Sequence, residues 1–403
     1  MKKFILSILG VMICIILSAQ NKVKSISDEA KFYLITCEPG DAVYARFGHS
    51  GIRIYDPKNK IDDVFHWGLF SFDTPNFISR FISGNTDYEM GVFSTKYFMR
   101  EYIERGSSVY AQELNLTPEQ KHALWAKLWH NYRPENRKYR YNFIFDNCAT
   151  RPYQLIASAY DHKITHIQQQ NKITYRDIIN KYVPIGSSLN TGINLIIGSQ
   201  ADKIITTKES ISFPMYTMNV LNHTHYINHN GSTMPIVLTQ EVIHRAPYKE
   251  FQVSDLTFYT WIIIPLVLAL ICIIYTFKKK RYLPYISQII LFISGLIGII
   301  ISYLWFFSQH PIVDNNMNIL WCNPLNLILA ILLFIRRKPI IRTIKIILSS
   351  LSLILCIIFL ITLITNIQTS TPQILSIWAL ILIINTTIIH TYKSKFKTLR
   401  LKK

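Results

Sequence analysis

The feature that most constrains this chain is the alternation of long apolar segments with short polar connections after Asp255. Five apolar segments lie at roughly 258–277, 284–307, 319–335, 343–364 and 374–392. Each is long enough to cross a bilayer, although the third is short at 17 residues. Because lipid cannot satisfy backbone polar groups, segments of this kind span membranes as helices. The pattern predicts an all-α bundle of about five transmembrane helices.

The basic residues of this half indicate its orientation. Residues 258–403 contain 15 Lys and Arg against one acidic residue, Asp314. They cluster at 278–281, at 336–345 and in the tail from Lys393, in alternate connections. Since basic loops stay in the cytoplasm, we expect a cytoplasmic C-terminus and an outward-facing N-terminal domain at a bacterial inner membrane. Most of the formal net charge of +19 thus lies beside the predicted spans, where it sets their orientation, and nucleic acid is excluded as a partner.

The N-terminus gives a second, independent topology signal. Lys2 and Lys3 precede an apolar run that ends at Leu17, and Ser18-Ala19 offers a small residue at a cleavage point. This is typical of a secretory signal peptide. We therefore expect a signal peptide at 1–19, a periplasmic domain at 20–257 and a transmembrane domain at 258–403.

The stretch Tyr141–Pro152 carries the strongest chemical signal in the exported domain. A short apolar and aromatic run, which we interpret as a strand, ends at Asp146-Asn147, and a helical pattern begins at Ala149. Asn147 is a good N-cap residue, which places Cys148 at the first helical position. Unpaired N–H groups and the helix dipole favour a thiolate there. We interpret Cys148 as a nucleophile with a low pKa.

A thiol nucleophile needs a base and a group that orients the base. His49 lies on a predicted strand, 43–55, next to Gly48, which lets another chain or a ligand approach the backbone. A second predicted strand, 64–72, carries His66, and the two strands form a hairpin. His49 is the candidate base and His66 the candidate orienting residue, with Asp73 as second choice.

The rest of the domain carries less chemical information. Residues 74–104 look helical and rich in aromatic side chains, which belong to a core or could accept an acyl chain. A strand is expected at 109–114 and a helix from a capping box at Thr117 to about Tyr132. From about 168 to 248 the pattern predicts irregular loops and short strands. Four histidines there lack carboxylates at metal-ligand spacing, so we predict no metal: His223, His225, His229 and His244.

The connection 309–324 is unusual for a membrane protein loop. It contains His310, Asp314, Asn318, Trp321 and several further asparagines. It is either an interfacial belt of turn-forming residues, or a loop that docks onto the soluble domain or holds a lipid headgroup. No charged residue lies deep in a predicted span, which argues against a transporter or a proton pump.

Four motifs together resemble a known family. They are Phe47–Tyr55, Trp67-Gly68, Phe145–Arg151 and His310 with Asn318–Pro324, and they look like the motifs of Lnb-type lipoprotein N-acyltransferases. More distantly, a strand histidine ahead of a cysteine at a helix start resembles circularly permuted NlpC/P60 proteins. That papain-like group includes the lecithin:retinol acyltransferase-like enzymes. The implied fold is an α+β periplasmic domain of permuted papain-like type, followed by the membrane helices.

The resemblance implies a two-step acyl transfer that needs no metal and no cofactor. Cys148, with His49 and His66, would take an acyl chain from a membrane phospholipid as a thioester. The acceptor would be the α-amine of the N-terminal diacylglyceryl-cysteine of a lipoprotein, and backbone N–H groups at the helix start would stabilise the oxyanion. Cys37 matches a Thr-Cys-x-Pro-Gly turn of the family and would be a structural partner or a second thiol. Independently of the resemblance, an exported compartment permits a disulfide between Cys37 and Cys148. Six further residues are implied as substrate-binding or supporting: Asn147, Arg151, Arg46, His310, Asn318 and Trp321.

Two other functions fit part of the pattern. A thiol amidase of the NlpC/P60 type would use the same cysteine and histidine on peptidoglycan. A non-catalytic membrane assembly protein would keep them only as packing residues. The five predicted spans favour the acyltransferase, since both of its substrates are anchored in a membrane.

Overall fold

The computed structural model describes residues 25–161, 163–167, 172–228, 230–247, 255–279, 283–335, 338–369 and 374–400. The predicted signal peptide and parts of the basic connections lie outside these ranges. An α+β N-terminal part with antiparallel sheets precedes a helical C-terminal part, as the sequence predicts.

A seven-stranded antiparallel sheet organises the N-terminal part. Its strands are β1 (Lys31–Cys37), β2 (His49–Asp56), β3 (Ile61–Leu69), β4 (Asp87–Ser94), β5 (Val109–Leu114), β6 (Lys138–Arg140) and β10 (Val237–His244). A separate three-stranded sheet contains β7 (Ile164–His166), β8 (Thr224–Ile227) and β9 (Thr233–Pro235). The order in the large sheet is β10-β5-β1-β2-β3-β4-β6, which places the β2–β3 hairpin near its middle.

Helices pack on both faces of this sheet. They are α1 (Phe77–Ile82), α2 (Thr95–Glu104), α3 (Pro118–Tyr132), α4 (Thr150–Ala159), α5 (Tyr175–Tyr182), α6 (Ser188–Ile196), α7 (Thr207–Ser210) and α8 (Pro214–Asn222). The largest core lies between α3, α4 and the face of the sheet that carries Phe65 and Trp67. A smaller core on the opposite face packs Phe98 and Tyr102 of α2.

Several local predictions are confirmed. The hairpin forms with Gly51 opposite His66, and β5 covers the predicted strand at 109–114. The helix from Pro118 to Tyr132 has the expected capping box, in which Thr117 and Gln120 each accept a backbone N–H from the other.

Two predictions in this part are wrong. Residues 74–104 are not one helix, because β4 separates α1 from α2 and pairs with both β3 and β6. The region 168–248 is not mainly irregular, since it contains α5 to α8 and contributes β10 to the large sheet. In both regions, helices of four to ten residues are too short to show a clear period in the sequence.

The C-terminal part contains α9 (Asp255–Lys279), α10 (Pro284–Phe307), α11 (Leu325–Leu332), α12 (Pro339–Ile364) and α13 (Ile374–Arg400). By length and composition, α10 and α12 are the helices able to cross a membrane among the residues described. The third predicted span is wrong as one continuous helix. A 3₁₀ turn at Met317–Leu320 is separated from α11 by Pro324, which lacks an N–H and does not continue a helix from the preceding turn. The five-span bundle stays a prediction.

Candidate active site

Strand alternation places the two candidate histidines on the same face of the sheet. Gly51 lies opposite His66 in the hairpin, and His49 lies two residues before Gly51. Since residues i and i+2 share a face, His49 and His66 are diagonal neighbours on the α2 side. His49 Nε2 lies 3.0 Å from His66 Nδ1, which joins the rings by a hydrogen bond.

This hydrogen bond determines what His49 can do. If His49 Nε2–H donates to His66 Nδ1, then His49 Nδ1 is left as a proton acceptor. His66 is buried, and its Nε2 has no hydrogen-bond partner within the described part of the chain. In this tautomer, His66 Nδ1 accepts the hydrogen bond, so a neutral His66 carries its own proton on Nε2. That buried N–H then has no partner among the described residues. His66 orients the base in this arrangement, whereas Asp73 is exposed at a turn after β3.

Aromatic side chains of α2 fix the ring of His49 from the other side. Tyr102 stacks on it with ring centroids 5.9 Å apart, and Phe98 packs against both histidines. Arg105 lies over the Tyr102 ring at 5.5 Å. The base is thus held by packing as well as by one hydrogen bond.

Two glycines allow the close approach of chains at this point. Gly48 has φ +80°, and a Cβ on it would lie 2.6 Å from the carbonyl oxygen of Cys37. Gly68 has φ +131°, and a Cβ there would lie 3.2 Å from His49 Cε1 and 3.9 Å from Cys148 Cβ. Both conformations favour glycine. His49 and Cys148 therefore both lie next to the space that a side chain at position 68 would fill.

The Cys148 loop is not the predicted strand. Residues 141–146 form a turn closed by two backbone hydrogen bonds between Asn142 and Asp146. The Asn142 side chain accepts the N–H groups of Ile144 and Phe145, which stabilises the turn instead of an extended strand. The preceding strand, β6, ends at Arg140.

The predicted N-cap is wrong: the helix begins at Thr150 with Ala149 as its N-cap, so Cys148 lies in the turn before the helix and not at its first position. Asn147 instead stabilises this turn. Its Oδ1 accepts the N–H groups of Ala149 at 2.8 Å and Thr150 at 3.0 Å. Its amide donates to the carbonyl oxygens of Phe143 and Ser212. Asn147 is buried and fixes Cys148 in place. Because Asn147 occupies the N–H groups of Ala149 and Thr150, these two cannot serve an oxyanion.

Arg151 stabilises the same loop. Its guanidinium makes a two-pronged ion pair with Asp146, at 2.5 and 2.8 Å, and lies 3.8 Å over the Tyr139 ring. Arg46, by contrast, follows the 3₁₀ turn Val43–Ala45 just before Gly48. These contacts give Arg151 a supporting position behind Cys148.

The Cys148 thiol is partly buried at the end of the sheet where β2 begins. Burial raises its pKa to about 11, and the backbone N–H groups of Ser50 and of Cys148 itself lower it only in part. Burial, with further contributions from His66 and Arg105, holds the pKa of His49 well below its usual range. The expected low thiol pKa is therefore wrong. These shifts favour a neutral thiol and a neutral imidazole at rest.

Cys37 lies opposite His49 in the β1–β2 register and is fully buried. Both Cys37 and Cys148 are free thiols in this structure. Burial and the nearby Cys148 raise the pKa of Cys37 well above its usual value. Cys37 is thus a neutral thiol packed beneath the candidate base.

The remaining predicted residues lie in the connection 308–324, which we term the docking loop. His310 Nε2 is 2.5 Å from the carbonyl oxygen of Phe81 in α1. Asn318 donates to the carbonyl oxygen of Leu195 and accepts from Trp321 Nε1. The structure therefore shows a loop that docks onto the N-terminal part, one of the two expected alternatives. It places these three residues at the junction and not beside Cys148.

Residues that sequence reasoning missed build the other side of this junction. Arg176 and Asp202 form a buried ion pair, and Arg176 also donates to Asn194. Asp202 reaches the C-terminal part by accepting from Thr369. Isolated polar residues in short helices give no periodic signal, so only the fold brings them together.

Among the residues described, no three His, Cys, Asp or Glu side chains are arranged to hold a metal ion. Of the four histidines considered above, His229 lies outside the described residues. His223 and His225 belong to the α8–β8 junction, and His244 ends β10 at the sheet edge.

Two family models match the chain. The Lnb N-terminal periplasmic domain matches residues 19–181, and the Lnb transmembrane domain matches residues 252–396. No curated protein and no solved structure matches. Together, the two matches indicate a membrane protein with an N-terminal periplasmic part.

Proposed function

Because this chain belongs to the Lnb family, we propose that it transfers an acyl chain from a membrane phospholipid to a diacylated lipoprotein. The acceptor is the α-amine of the N-terminal diacylglyceryl-cysteine. The observation that carries the proposal is the grouping of Cys148, His49 and His66 at one end of a sheet that a docking loop ties to membrane helices.

In the first step, His49 Nδ1 takes the thiol proton while Cys148 Sγ attacks the ester carbonyl carbon. The C–O bond of the ester breaks, and the lysophospholipid oxygen takes the proton from His49. Cys148 then holds the acyl chain as a thioester. His66 accepts the Nε2–H of His49 throughout and stabilises the transient imidazolium.

In the second step, the neutral α-amine attacks the thioester carbonyl. His49 accepts the proton that the amine loses, the C–S bond breaks, and Cys148 recovers a proton. The product is an amide. The N–H groups of Cys148 and Ser50 face the sulfur and are the candidates to stabilise the oxyanion in both steps.

The neutral state of the resting pair suits a thioester enzyme. A partly buried neutral thiol reacts slowly with water-soluble electrophiles and oxidants, because the thiolate is the reactive species. The aromatic side chains around His49 limit the access of water, which favours aminolysis of the thioester over hydrolysis.

The test is a reconstitution assay. The full-length protein in vesicles of phosphatidylethanolamine receives a synthetic diacylated lipopeptide, and the lipopeptide mass is measured. We expect the gain of one acyl chain, its loss in Cys148→Ala, and normal transfer in Cys37→Ala. An unchanged lipopeptide mass together with cleavage of muropeptides would support the amidase instead. Full function of Cys148→Ser in cells would refute every covalent-thiol mechanism.

A further inference from the structure

A series of stacked aromatic rings runs from the Cys148 site to α1. We term it the aromatic ramp, and it consists of Tyr141, Tyr88, Phe70, Phe77 and Phe81. Successive ring centroids are 4.2, 4.9, 5.9 and 6.1 Å apart, and the planes deviate from parallel by only 14–18°. Parallel rings at these distances form one continuous apolar wall.

The inner end of the ramp lies beside the candidate nucleophile. Burial raises the pKa of Tyr88 to about 12, and the neighbouring Cys148 contributes to this shift and to that of Tyr141. Phe70 follows by two residues Gly68, whose open side faces both Cys148 and His49.

The outer end of the ramp is attached to a membrane helix. Phe81 packs edge-to-face on His310 at 5.4 Å. Ser308, one residue after α10, donates to the carbonyl oxygen of Ile82, and the next residue, Gln309, donates its N–H to Ser83. The last residues of α1 therefore lie at the level where α10 ends.

The ramp is exposed at its outer end, whereas its inner rings, Tyr88, Phe70 and Tyr141, belong to or pack against the main core. Phe81 is 43% exposed, and the neighbouring side chains of Phe72 and Ile78 are exposed by 67% and 74%. Phe306 and Phe307 at the end of α10 are exposed by 65% and 72%, so the apolar surface continues from the membrane helix onto α1. An apolar patch of this kind marks a site of interaction with lipid or protein.

Arg80 lies on the side of α1 opposite Ile78, since the two are two residues apart on a helix. It donates to Asp87 at 2.7 Å and to the carbonyl oxygen of Asn85. Arg80 thus binds α1 to the periplasmic domain, while Ile78 and Phe81 are exposed. A short segment with this division suits the boundary between headgroups and acyl chains.

We propose that the aromatic ramp binds the fatty-acyl chain of an outer-leaflet lipid and leads its ester carbonyl from the bilayer to Cys148. This inference rests on the proposed function, for which it names the acyl-chain site and the entry path. Continuity with the exposed end of α10 favours lipid as the occupant over a second copy of the chain. Each methylene that leaves water gains from contact with the rings, so longer chains are held more tightly.

A pair of exposed-site variants tests the ramp without disturbing packing. Ile78→Asp places a charge on its outer side, and Leu238→Asp places one on β10, where the side chain is 53% exposed. Two acyl donors are compared: dioleoyl phosphatidylethanolamine in vesicles, and dihexanoyl phosphatidylcholine below its critical micelle concentration. We expect Ile78→Asp to lower kcat/KM for the vesicle donor about tenfold and for the soluble donor less, because its six-carbon chains make fewer contacts with the ramp. Leu238→Asp should behave as wild type with both donors. Equal loss with both donors, or no loss with either, would overturn the proposal.

Photo-crosslinking tests the same site without requiring turnover. Wild-type protein is irradiated in vesicles that contain a phosphatidylethanolamine with a diazirine in its acyl chain, and labelled peptides are mapped. Labels on residues 70–82 support the ramp, whether or not Cys148 forms a thioester. Labels confined to the C-terminal helices, or crosslinks between two copies through α1, would refute it.

Discussion

The Cys148 site and the docking loop both contain buried polar side chains, but the two regions differ in the hydrogen-bond partners of these side chains. In the docking loop, the side chains of His310, Asn318 and Trp321 each have a hydrogen-bond partner, mostly a backbone carbonyl oxygen, and Asn323 Oδ1 is buried without one among the residues described. At the site, His66 Nε2 and Tyr139 Oη are buried without one among the residues described. Paired groups stabilise the junction, whereas a buried ring nitrogen without a partner on the histidine that contacts His49 costs stability. We therefore propose a structural role for the three paired loop residues and a catalytic role for the site.

The largest effect should come from the base. His49→Gln keeps the size of the side chain but cannot accept the thiol proton. We expect acyl transfer to fall about 10³-fold, with little change in the midpoint of thermal unfolding. His122→Gln is the matched control, since His122 lies on the surface of α3 and pairs with Asp28. Activity within about threefold of wild type in His49→Gln would remove the base from the mechanism.

The second-largest effect should be the change in the alkylation rate of Cys148 with pH. Because the pKa of Cys148 is raised to about 11, the thiolate fraction grows tenfold per pH unit through neutral pH. Alkylation of Cys148 by iodoacetamide should therefore speed up about 100-fold between pH 7 and pH 9. A rate that is constant from pH 6 to pH 8 would instead indicate a preformed thiolate–imidazolium pair, and the neutral-pair mechanism would be wrong.

The orienting residue should matter less than the base. His66→Phe removes the acceptor for His49 Nε2–H while it keeps an aromatic ring against Phe93 and Phe98. We expect kcat to fall about 10- to 100-fold with KM nearly constant, because the ring of His49 loses its preferred tautomer. His66→Asn, which can still accept a hydrogen bond, should recover part of the loss. No difference between the two variants would mean that His66 only fills space.

The docking loop should show the smallest effect on turnover and the clearest effect on stability. Asn318→Ala removes donors to Asn194 and Leu195 and the acceptor for Trp321. We expect a loss of about 1–3 kcal/mol in the free energy of unfolding in detergent, with kcat for a soluble short-chain donor nearly unchanged. Asn315→Gly is the control, since Asn315 is exposed and has φ +52°. A loss of kcat with normal stability would mean that the loop takes part in catalysis.

Much of this arrangement could be predicted from the sequence. Local signals were sufficient for the β2–β3 hairpin and for the helix that begins after Thr117. Each depends on contacts within a few residues, so a short motif contains most of the information. The pairing of His49 with His66 then needed only the register, which the hairpin turn fixes at Gly51 opposite His66.

Other features depend on burial, which no local pattern reports. A helix-start position for Cys148 predicts a low pKa, but Cys148 precedes the helix by two residues, and burial outweighs the two backbone N–H groups near the sulfur. The aromatic side chains of 74–104 suggest one amphipathic helix, yet β4 pairs on both sides and divides them. The ramp itself joins rings from three separate segments, and only the fold brings them into one stack.

The central claim is that Cys148 carries the acyl group, and intact-protein mass spectrometry tests it directly. Wild-type protein incubated with phospholipid and no acceptor should gain the mass of one acyl chain. Neutral hydroxylamine should remove it, peptide mapping should place it on Cys148, and Cys148→Ala should lack it. Transfer of an acyl chain to the lipopeptide by Cys148→Ala, or a hydroxylamine-stable adduct elsewhere, would contradict the account.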